Sequence, residues 1–179
     1  MSVLSELIIG LWIIIPAYAA NGFAPLAHGK KRIDFGKKLA DGRYIFGPGK
    51  TWEGFIFAVF IGTLFGSLEI FLYPYLEPIA AVNGIHLLKL SLLSVFLISL
   101  GAMVGDLVGS FIKRRVGIER GEPAPLLDQL DFVFGAFLFL YPVLEVSSLA
   151  FILIILITPV IHFISSIIGH AIGVKKVPW

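Results

Sequence analysis

The chain has 179 residues, of which 58% are hydrophobic and only 15% are charged, and its mean hydropathy is +0.94. This composition excludes a disordered chain, a collagen, a coiled coil and a nucleic-acid-binding protein, because these classes carry more charge and less apolar surface. The lack of cysteine excludes disulfide scaffolds, zinc ribbons and thiol nucleophiles. The net charge of +2 says little, whereas the positions of the 14 basic residues are informative.

Apolar stretches long enough to cross a bilayer occupy most of the sequence. A transmembrane helix needs about 20 predominantly apolar residues. Five stretches meet this condition, at residues 7–27, 55–76, 87–109, 126–146 and 149–174. The first follows Glu6 rather than a basic segment, which argues against a cleaved signal peptide. The sequence therefore predicts an all-α, polytopic membrane protein with five transmembrane helices, forming a single integral membrane domain over residues 1–179.

The basic residues fall almost entirely on one side of this arrangement. Seven lie between the first and second spans, four follow the third span, and Lys175 and Lys176 lie in the tail. Only Lys89 falls on the opposite side. Because cytoplasmic loops are enriched in Lys and Arg, we expect cytosolic loops at 28–53 and 112–125. The N-terminus is then outside and the C-terminus cytosolic, in a multi-pass protein of the cell membrane.

Glycines recur at every fourth position in two of the spans. Gly101, Gly105 and Gly109 follow this spacing in the third span, and Gly62 and Gly66 follow it in the second. Small residues at this spacing allow helix backbones to approach closely in lipid. The pattern predicts tight helix packing along these two faces.

Polar side chains mark the end of the third span. Asp106, Ser110 and Lys113 are spaced by four and three residues, which places them on one face of a helix. A charged residue within a span costs about 2.5–3.5 kcal/mol on insertion scales. This strip at the cytosolic edge therefore indicates a polar site. The alternative is a solvated helix end from which Lys113 and Arg114 reach the membrane surface.

The fourth span carries two aspartates at its start. The apolar residues 132–144 give only about 20 Å of helix, so a spanning helix has to begin near Pro125. Asp128 and Asp131 then enter the membrane face one turn apart. An acidic pair opposite a basic loop indicates Mg²⁺ bound together with phosphates, since Mg²⁺ uses few carboxylates. The alternative is that both carboxylates compensate the helix dipole.

A glycine-rich motif, GPGKTWEG at residues 47–54, precedes the second span. Its GKT triplet is similar to the end of a P-loop, but Tyr44 replaces the leading glycine and no strand precedes it, so we exclude a P-loop. The long basic segment before it, 28–49, has the character of a functional loop. Amides at the helix start suit an anion. Thr51 could also be an N-cap, whereas Glu53 brings a third acidic group to this edge.

Two further polar groups lie within predicted spans. Asn21, near the cytosolic end of the first span, is suited to hydrogen-bond a substrate or another helix. His162, Ser166 and His170 share one face of the fifth span, and we interpret them as interhelical hydrogen-bonding groups. Neither a cysteine nor a nearby carboxylate completes a metal set there.

Three motifs in this order resemble the CDP-diacylglycerol synthase family. GPGKTWEG is similar to the family's Lys-Thr-Trp-Glu-Gly motif, and GDLVGSFIKRR followed by PAPLLDQLD is similar to its signature of Ser and Lys-Arg before paired aspartates. The stretch NGFAPLAHGKKRIDFGKKLADGR and the five-helix length are more similar to the archaeal branch, the CDP-archaeol synthases. Bacterial members have His-Gly-Gly at 124–126 and Arg in place of Gln129.

This resemblance implies a Mg²⁺-dependent cytidylyltransferase. Such an enzyme moves CMP from CTP onto an unsaturated archaeal ether-lipid phosphate, 2,3-bis-O-geranylgeranylglycerol 1-phosphate, and releases pyrophosphate. The attacking phosphate oxygen is already ionised at neutral pH, so the chemistry needs charge neutralisation and alignment rather than a strong base.

The implied site residues follow from the same motifs. Asp106, Asp128 and Asp131 would bind Mg²⁺, and together with Lys113 they form the predicted catalytic set. The residues assigned to substrate binding are Asn21, Lys37, Lys38, Thr51, Glu53, Ser110, Lys113 and Arg114. The predicted partners are CTP, the lipid phosphate and the bilayer, without nucleic acid, and a homodimer stays open. The active site is expected at the cytosolic face.

Two other functions stay open at this stage. A CTP-dependent polyprenol or phytol kinase would use the same nucleotide and metal but would release CDP and a lipid monophosphate. A small membrane transporter would use polar groups near the bilayer midplane. The acidic residues of this sequence collect at one face instead, which argues against a transporter.

Overall fold

The computed structural model describes residues 2–171, apart from the side chain of His170. Lys175 and Lys176, predicted to be cytosolic, lie outside the described residues. The described chain forms five α-helices: α1 Val3–Phe23, α2 Trp52–Val82, α3 Leu92–Arg115, α4 Leu127–Leu140 and α5 Ser148–Ala171. A short 3₁₀ helix, Ala24–Ala27, follows α1. Within the described part there are isolated β-bridges but no strand, which confirms the all-α prediction.

Local capping signals set the helix ends. The α3 helix begins at Leu92, later than the predicted residue 87, because Ser91 and Ser94 form a capping box at its start. The α4 helix ends at Leu140, earlier than the predicted residue 146. Pro142 follows this end, and proline has no backbone N–H with which to continue a helical ladder. Both shifts arise from one or two local residues rather than from hydrophobic patterning.

Four helical segments within residues 2–171 are long and apolar enough to cross a membrane. They are Val3–Ala27, Trp52–Val82, Leu92–Arg115 and Ser148–Gly169. The α4 helix has 14 residues. At 1.5 Å per residue it is roughly 21 Å long, which is shorter than a hydrocarbon core of about 30 Å. The regular part of α4 therefore does not by itself provide the predicted fifth span.

The predicted glycine faces do permit close helix packing. A Cβ added at Gly101 would collide with the backbone of Gly135 in α4, and one at Gly105 would collide with the backbone of Asp131. The α3 and α4 backbones are therefore in direct contact, which fixes where α4 holds its aspartates relative to α3.

The second glycine face joins α2 to its neighbours. A Cβ at Gly62 would lie 2.5 Å from Ser99 Oγ and 2.6 Å from the Pro16 carbonyl oxygen. The core between α1, α3 and α4 contains fully buried residues such as Ile98 and Phe132. The other face of α2 exposes large apolar side chains, as expected for a helix in contact with lipid.

Candidate active site

Two lysine–aspartate ion pairs lie at the end of the bundle where α2 begins and α3 ends, which we call the loop end. Lys50 Nζ lies 2.7 and 2.6 Å from the two carboxylate oxygens of Asp106. Lys113 Nζ contacts Asp128 Oδ1. The four side chains are 16–31% exposed. Because they are partly withdrawn from water, their charges interact more strongly than on an open surface.

Asp131 lies at the contact between α3 and α4, close to both pairs. Its Oδ2 occupies the space that a Cβ on Gly109 would fill, so the glycine makes room for the carboxylate. Asp131 Oδ1 accepts a 2.6 Å hydrogen bond from the Phe132 N–H. The carboxylate also interacts electrostatically with Asp106, Asp128 and Lys50. None of the described ion pairs involves Asp131. Of the three aspartates, it is therefore the one that is not paired with a lysine.

Asp106 and Asp128 line two different cavities. The loop cavity, about 440 Å³, lies between the end of α1, the GPGKT segment and α3, and it contains Lys50 and Asp106. The α4–α5 cavity, about 350 Å³, contains Lys113 and Asp128. His162 and Ser166 line the same α4–α5 cavity. The sequence predicts that both aspartates bind Mg²⁺ together with Asp131, whereas in the structure each aspartate pairs with a lysine in a different cavity.

The donor set suits a divalent cation, although it is not gathered into one cluster. Within residues 2–171 no group of three acidic or histidine side chains is arranged to hold a metal ion. The donors are nevertheless carboxylate oxygens, which Mg²⁺ prefers. The Lys50 ammonium touches both oxygens of Asp106, as a bound cation could. Asp106 and Asp128 each pair with a lysine instead, and both interact electrostatically with Asp131.

The basic segment between α1 and α2 is folded around Asp34. Asp34 Oδ1 accepts from the Gly36 N–H at 2.9 Å, and Oδ2 accepts from the Phe46 and Gly47 N–H groups at 3.1 and 2.9 Å. Burial alone would raise the pKa of Asp34. The three backbone donors and nearby Arg32 outweigh it and hold the pKa below its ordinary value. Asp34 thus fixes the loop in its ionised form.

Arginines at the end of α3 attach this segment to the helix. Arg114 donates to the Phe46 carbonyl at 3.3 Å and to the Ile118 carbonyl at 2.5 Å. Arg115 pairs with Asp41 at 2.7 Å. Arg114 was predicted to bind a phosphate, but its described contacts are to backbone carbonyls of the loops.

Two motif residues predicted to bind substrate have structural contacts. Thr51 is the N-cap of α2 and accepts from the Gly54 N–H at 3.2 Å, while also lining the loop cavity. Glu53 accepts from the Lys31 N–H at 3.2 and 3.1 Å. The motif therefore closes the loop onto the start of α2, and Glu53 is held by backbone rather than directed at the aspartates.

The remaining predicted residues make no described hydrogen bond or ion pair with the two lysine–aspartate pairs. Asn21 is half-buried near the end of α1 and is not among the residues that line the loop cavity. Ser110 is buried in α3. Lys37 is exposed, and Lys38 lies over the Tyr44 ring, 5.0 Å from its centroid. The structure thus brings Asp106, Lys113, Asp128 and Asp131 into ion pairs or electrostatic contact. Ser110 lies between Asp106 and Lys113 in α3 without a described contact to either.

Lys50 was missing from the set predicted from the sequence. It is one of seven basic residues in the segment, and nothing in its spacing to Asp106 indicates contact across 56 positions. Its place in the GPGKT motif, directly before a helix start, was the available signal. Asp34 was missed as well, because its partners are backbone groups that carry no sequence signature.

Comparison with known proteins gives a consistent result over the whole chain. The family model for CarS-like CDP-archaeol synthase matches residues 3–179. The CDP-archaeol synthase of Thermococcus gammatolerans is 45% identical over 179 residues, covering 100% of both chains. That of Methanocaldococcus jannaschii is 43% identical over 169 residues, covering 94% of this chain and 95% of its own.

A solved structure agrees with these relatives. It is that of an intramembrane enzyme for archaeal membrane lipids biosynthesis, with a TM-score of 0.75 and 33% identity. The match covers 90% of this chain and 94% of the solved one. The chain therefore belongs to the CarS-like CDP-archaeol synthase family and is a nucleotidyltransferase.

Proposed function

We propose that this chain transfers CMP from CTP to 2,3-bis-O-geranylgeranylglycerol 1-phosphate, producing a CDP-lipid and pyrophosphate. The observation that supports it most directly is the pair of lysine–aspartate contacts, Lys50–Asp106 and Lys113–Asp128, on either side of Asp131. A reaction between two polyanions needs cations and carboxylate-held metal at one place. The family to which the chain belongs is named for the same kind of product.

We propose that the site lies at the cytosolic face of a five-span protein. Helical hydrogen bonds flank α4, from Asp128 N–H to the Ala124 carbonyl at 3.0 Å and from Leu144 N–H to the Leu140 carbonyl at 3.1 Å. Residues 124–144 would cover about 30 Å if helical. The basic segments at 28–53 and 112–125 then face the cytosol, with the N-terminus outside and the C-terminus inside. Residues 1–179 form one membrane domain.

The two cavities suit the two substrates. The loop cavity combines Lys50 with the amides at the start of α2, a suitable place for nucleotide phosphates. The α4–α5 cavity places Lys113 beside the lipid-facing helices, where a lipid phosphate could be neutralised. An apolar cavity of about 760 Å³, lined by Phe134, Phe137 and Phe151, lies further along α4 and α5 and suits prenyl chains.

The transfer step needs alignment rather than proton removal. An ionised oxygen of the lipid phosphate forms a bond to the α-phosphorus of CTP. The bond from that phosphorus to the bridging oxygen breaks, and pyrophosphate leaves with the electron pair. Lys50 and Lys113 would turn from their aspartates to the phosphates as these enter. Asp106, Asp128 and Asp131 would hold Mg²⁺, which when bound neutralises phosphate charge.

The other predicted residues have supporting roles in this proposal. Thr51, Glu53 and Arg114 keep the loop in the shape that positions Lys50, as their contacts support. Lys37 and Lys38 supply positive charge near the nucleotide entrance. Asn21 and Ser110 supply polar groups near the ends of α1 and α3 that a bound nucleotide could reach.

The product mixture tests the function. Purified protein is incubated with CTP labelled in the cytidine, Mg²⁺ and the geranylgeranyl ether-lipid phosphate. We expect labelled CDP-lipid and one pyrophosphate per turnover, loss of turnover with EDTA, and recovery with Mg²⁺. In a parallel incubation with a prenol in place of the lipid phosphate, release of CDP and formation of a prenyl monophosphate would establish a lipid kinase instead. Substrate flux in liposomes without CTP consumption would establish a transporter.

Light scattering in detergent would decide between a monomer and a homodimer.

A further inference from the structure

A third cavity at the loop end is surrounded by cations. It has a volume of about 380 Å³ and lies between the loop before α2 and the segment after α3. The basic side chains that line it are Lys38, Arg43, Arg114 and Arg120. A single acidic residue, Glu119, also lines it. We call it the basic cavity.

The cations that line the basic cavity form no described ion pair with a carboxylate. The ion pairs found among residues 2–171 involve other cations. Arg43 donates to the Arg115 carbonyl at 2.8 Å, and Arg114 donates to the Phe46 and Ile118 carbonyls. Carbonyl contacts orient a guanidinium but leave its net charge unchanged. Four cations and a single carboxylate line this hollow, so positive charge is in excess, and an anion with several charges would relieve the repulsion between the cations.

The basic cavity adjoins the loop cavity. Pro48 and Arg120 line both, so the two hollows share a wall at the GPGKT motif. The Lys113–Asp128 pair, which we propose to face the lipid phosphate, lines a different cavity. An anion in the basic cavity would therefore come from the nucleotide side.

We infer that the basic cavity receives the pyrophosphate released from CTP, an inference that rests on the proposed function. When the α-phosphorus bonds to the lipid phosphate oxygen, the bridging oxygen keeps the electron pair and departs with the β- and γ-phosphates. Arg120 faces both hollows and Lys38 faces only the basic cavity. The two residues thus mark a path along which pyrophosphate leaves the loop cavity. Its negative charge then no longer repels the newly formed CDP-lipid.

Calorimetric titration of the full-length protein in nanodiscs with inorganic pyrophosphate tests this inference. Lys38→Gln removes one charge from the basic cavity without breaking a described backbone contact. We expect a roughly tenfold weaker affinity for pyrophosphate and an unchanged affinity for CMP, which lacks the β- and γ-phosphates. Lys30→Gln is the matched control, since Lys30 is an exposed lysine of the same segment that does not line the basic cavity.

The outcomes separate the inference from the proposed function. Equal pyrophosphate affinity in wild type and Lys38→Gln would overturn the inference, and so would an equal loss in Lys30→Gln, because bulk charge would then explain it. Arg120→Gln provides a second variant should Lys38→Gln fail to fold, with the same expected loss. Pyrophosphate binding is measured without turnover. A chain that fails to make CDP-lipid therefore refutes the function, whereas normal turnover without pyrophosphate binding refutes only the inference.

Discussion

Two groups of charged residues lie within the loop end, and they are stabilised in different ways. Asp34 and Arg114 are satisfied by backbone N–H and carbonyl groups of the segments they hold together. Lys50 instead pairs with Asp106 in the loop cavity, and Lys113 pairs with Asp128 in the α4–α5 cavity. Backbone partners make the first group part of the fold. Charge partners that a substrate can replace make the second group suited to binding and chemistry.

The largest effect should follow from Asp131→Asn. This change removes the one carboxylate of the three without a bound cation, while the amide keeps the side-chain volume beside Gly109. We expect turnover to fall roughly 10³-fold, as when a preorganised charge is removed from a polar site. The assay measures CDP-lipid formation by protein that still elutes as a folded species. Glu77→Gln, which removes a carboxylate paired with His86 away from these pairs, should stay fully active, and normal activity in Asp131→Asn would remove Asp131 from the site.

A smaller loss should follow from Lys113→Ala. A phosphate then lacks one charged partner, which is worth about a 10- to 100-fold change in kcat/KM. The loss should appear mainly when lipid phosphate is varied rather than CTP, because Lys113 lines the α4–α5 cavity. Lys89→Ala, an exposed lysine outside both cavities, provides the comparison. An equal loss for both substrates would contradict the division of the cavities.

The helices and the closely packed glycine faces were predictable from sequence patterns. Gly101 and Gly105 were recognised from spacing alone, and a Cβ at either position would indeed meet the α4 backbone. Helix ends were less predictable, since the Ser91–Ser94 box and Pro142 override the apolar pattern by several residues. Hydropathy indicates which residues prefer lipid, whereas capping residues and prolines determine where the hydrogen bonds of a helix begin and end.

The site itself was predictable only in part. Motif spacing and helical periodicity predict all three aspartates and Lys113 as site residues, and the structure places these four side chains at the loop end. Lys50 escaped notice since its partner, Asp106, lies in a distant helix and the path between them is irregular loop. Glu53 and Arg114 were interpreted as substrate ligands from their charge, but their partners are backbone groups that composition cannot reveal.

A glycine substitution tests the close approach of the α3 and α4 backbones, which positions the aspartates of the ion pairs. Gly105→Ala places a methyl group against the Asp131 backbone, where no flexible side chain can yield. We expect a loss of about 3 kcal/mol in the free energy of unfolding together with reduced turnover, because α4 carries two of the aspartates. Gly22→Ala, at a position with open space around it, should be neutral by the same denaturant titration in detergent. Equal stability of the two variants would contradict the close backbone approach.

The smallest effect concerns Asp34 in the loop group. Its lowered pKa means that ionised Asp34 stabilises the fold above its unfolded pKa, near pH 4, and that this contribution is lost as the pH falls through the lower folded pKa. Asp34→Asn should cost about 1–2 kcal/mol at pH 7 and flatten the acid limb of the stability profile. Thermal unfolding between pH 3 and pH 7 measures this difference. An identical acid limb in both proteins would contradict a structural role for the charge.

The central claim is that the aspartates hold a divalent cation, and Mn²⁺ binding tests it most directly. Mn²⁺ replaces Mg²⁺ in the presence of CTP, and electron paramagnetic resonance measures the free Mn²⁺. If the aspartates of α4 hold the cation, Asp128→Asn and Asp131→Asn should each weaken Mn²⁺ binding by roughly tenfold or more. Glu77→Gln should bind Mn²⁺ as wild type does. Unchanged Mn²⁺ affinity in both aspartate variants would show that these carboxylates do not hold a metal ion.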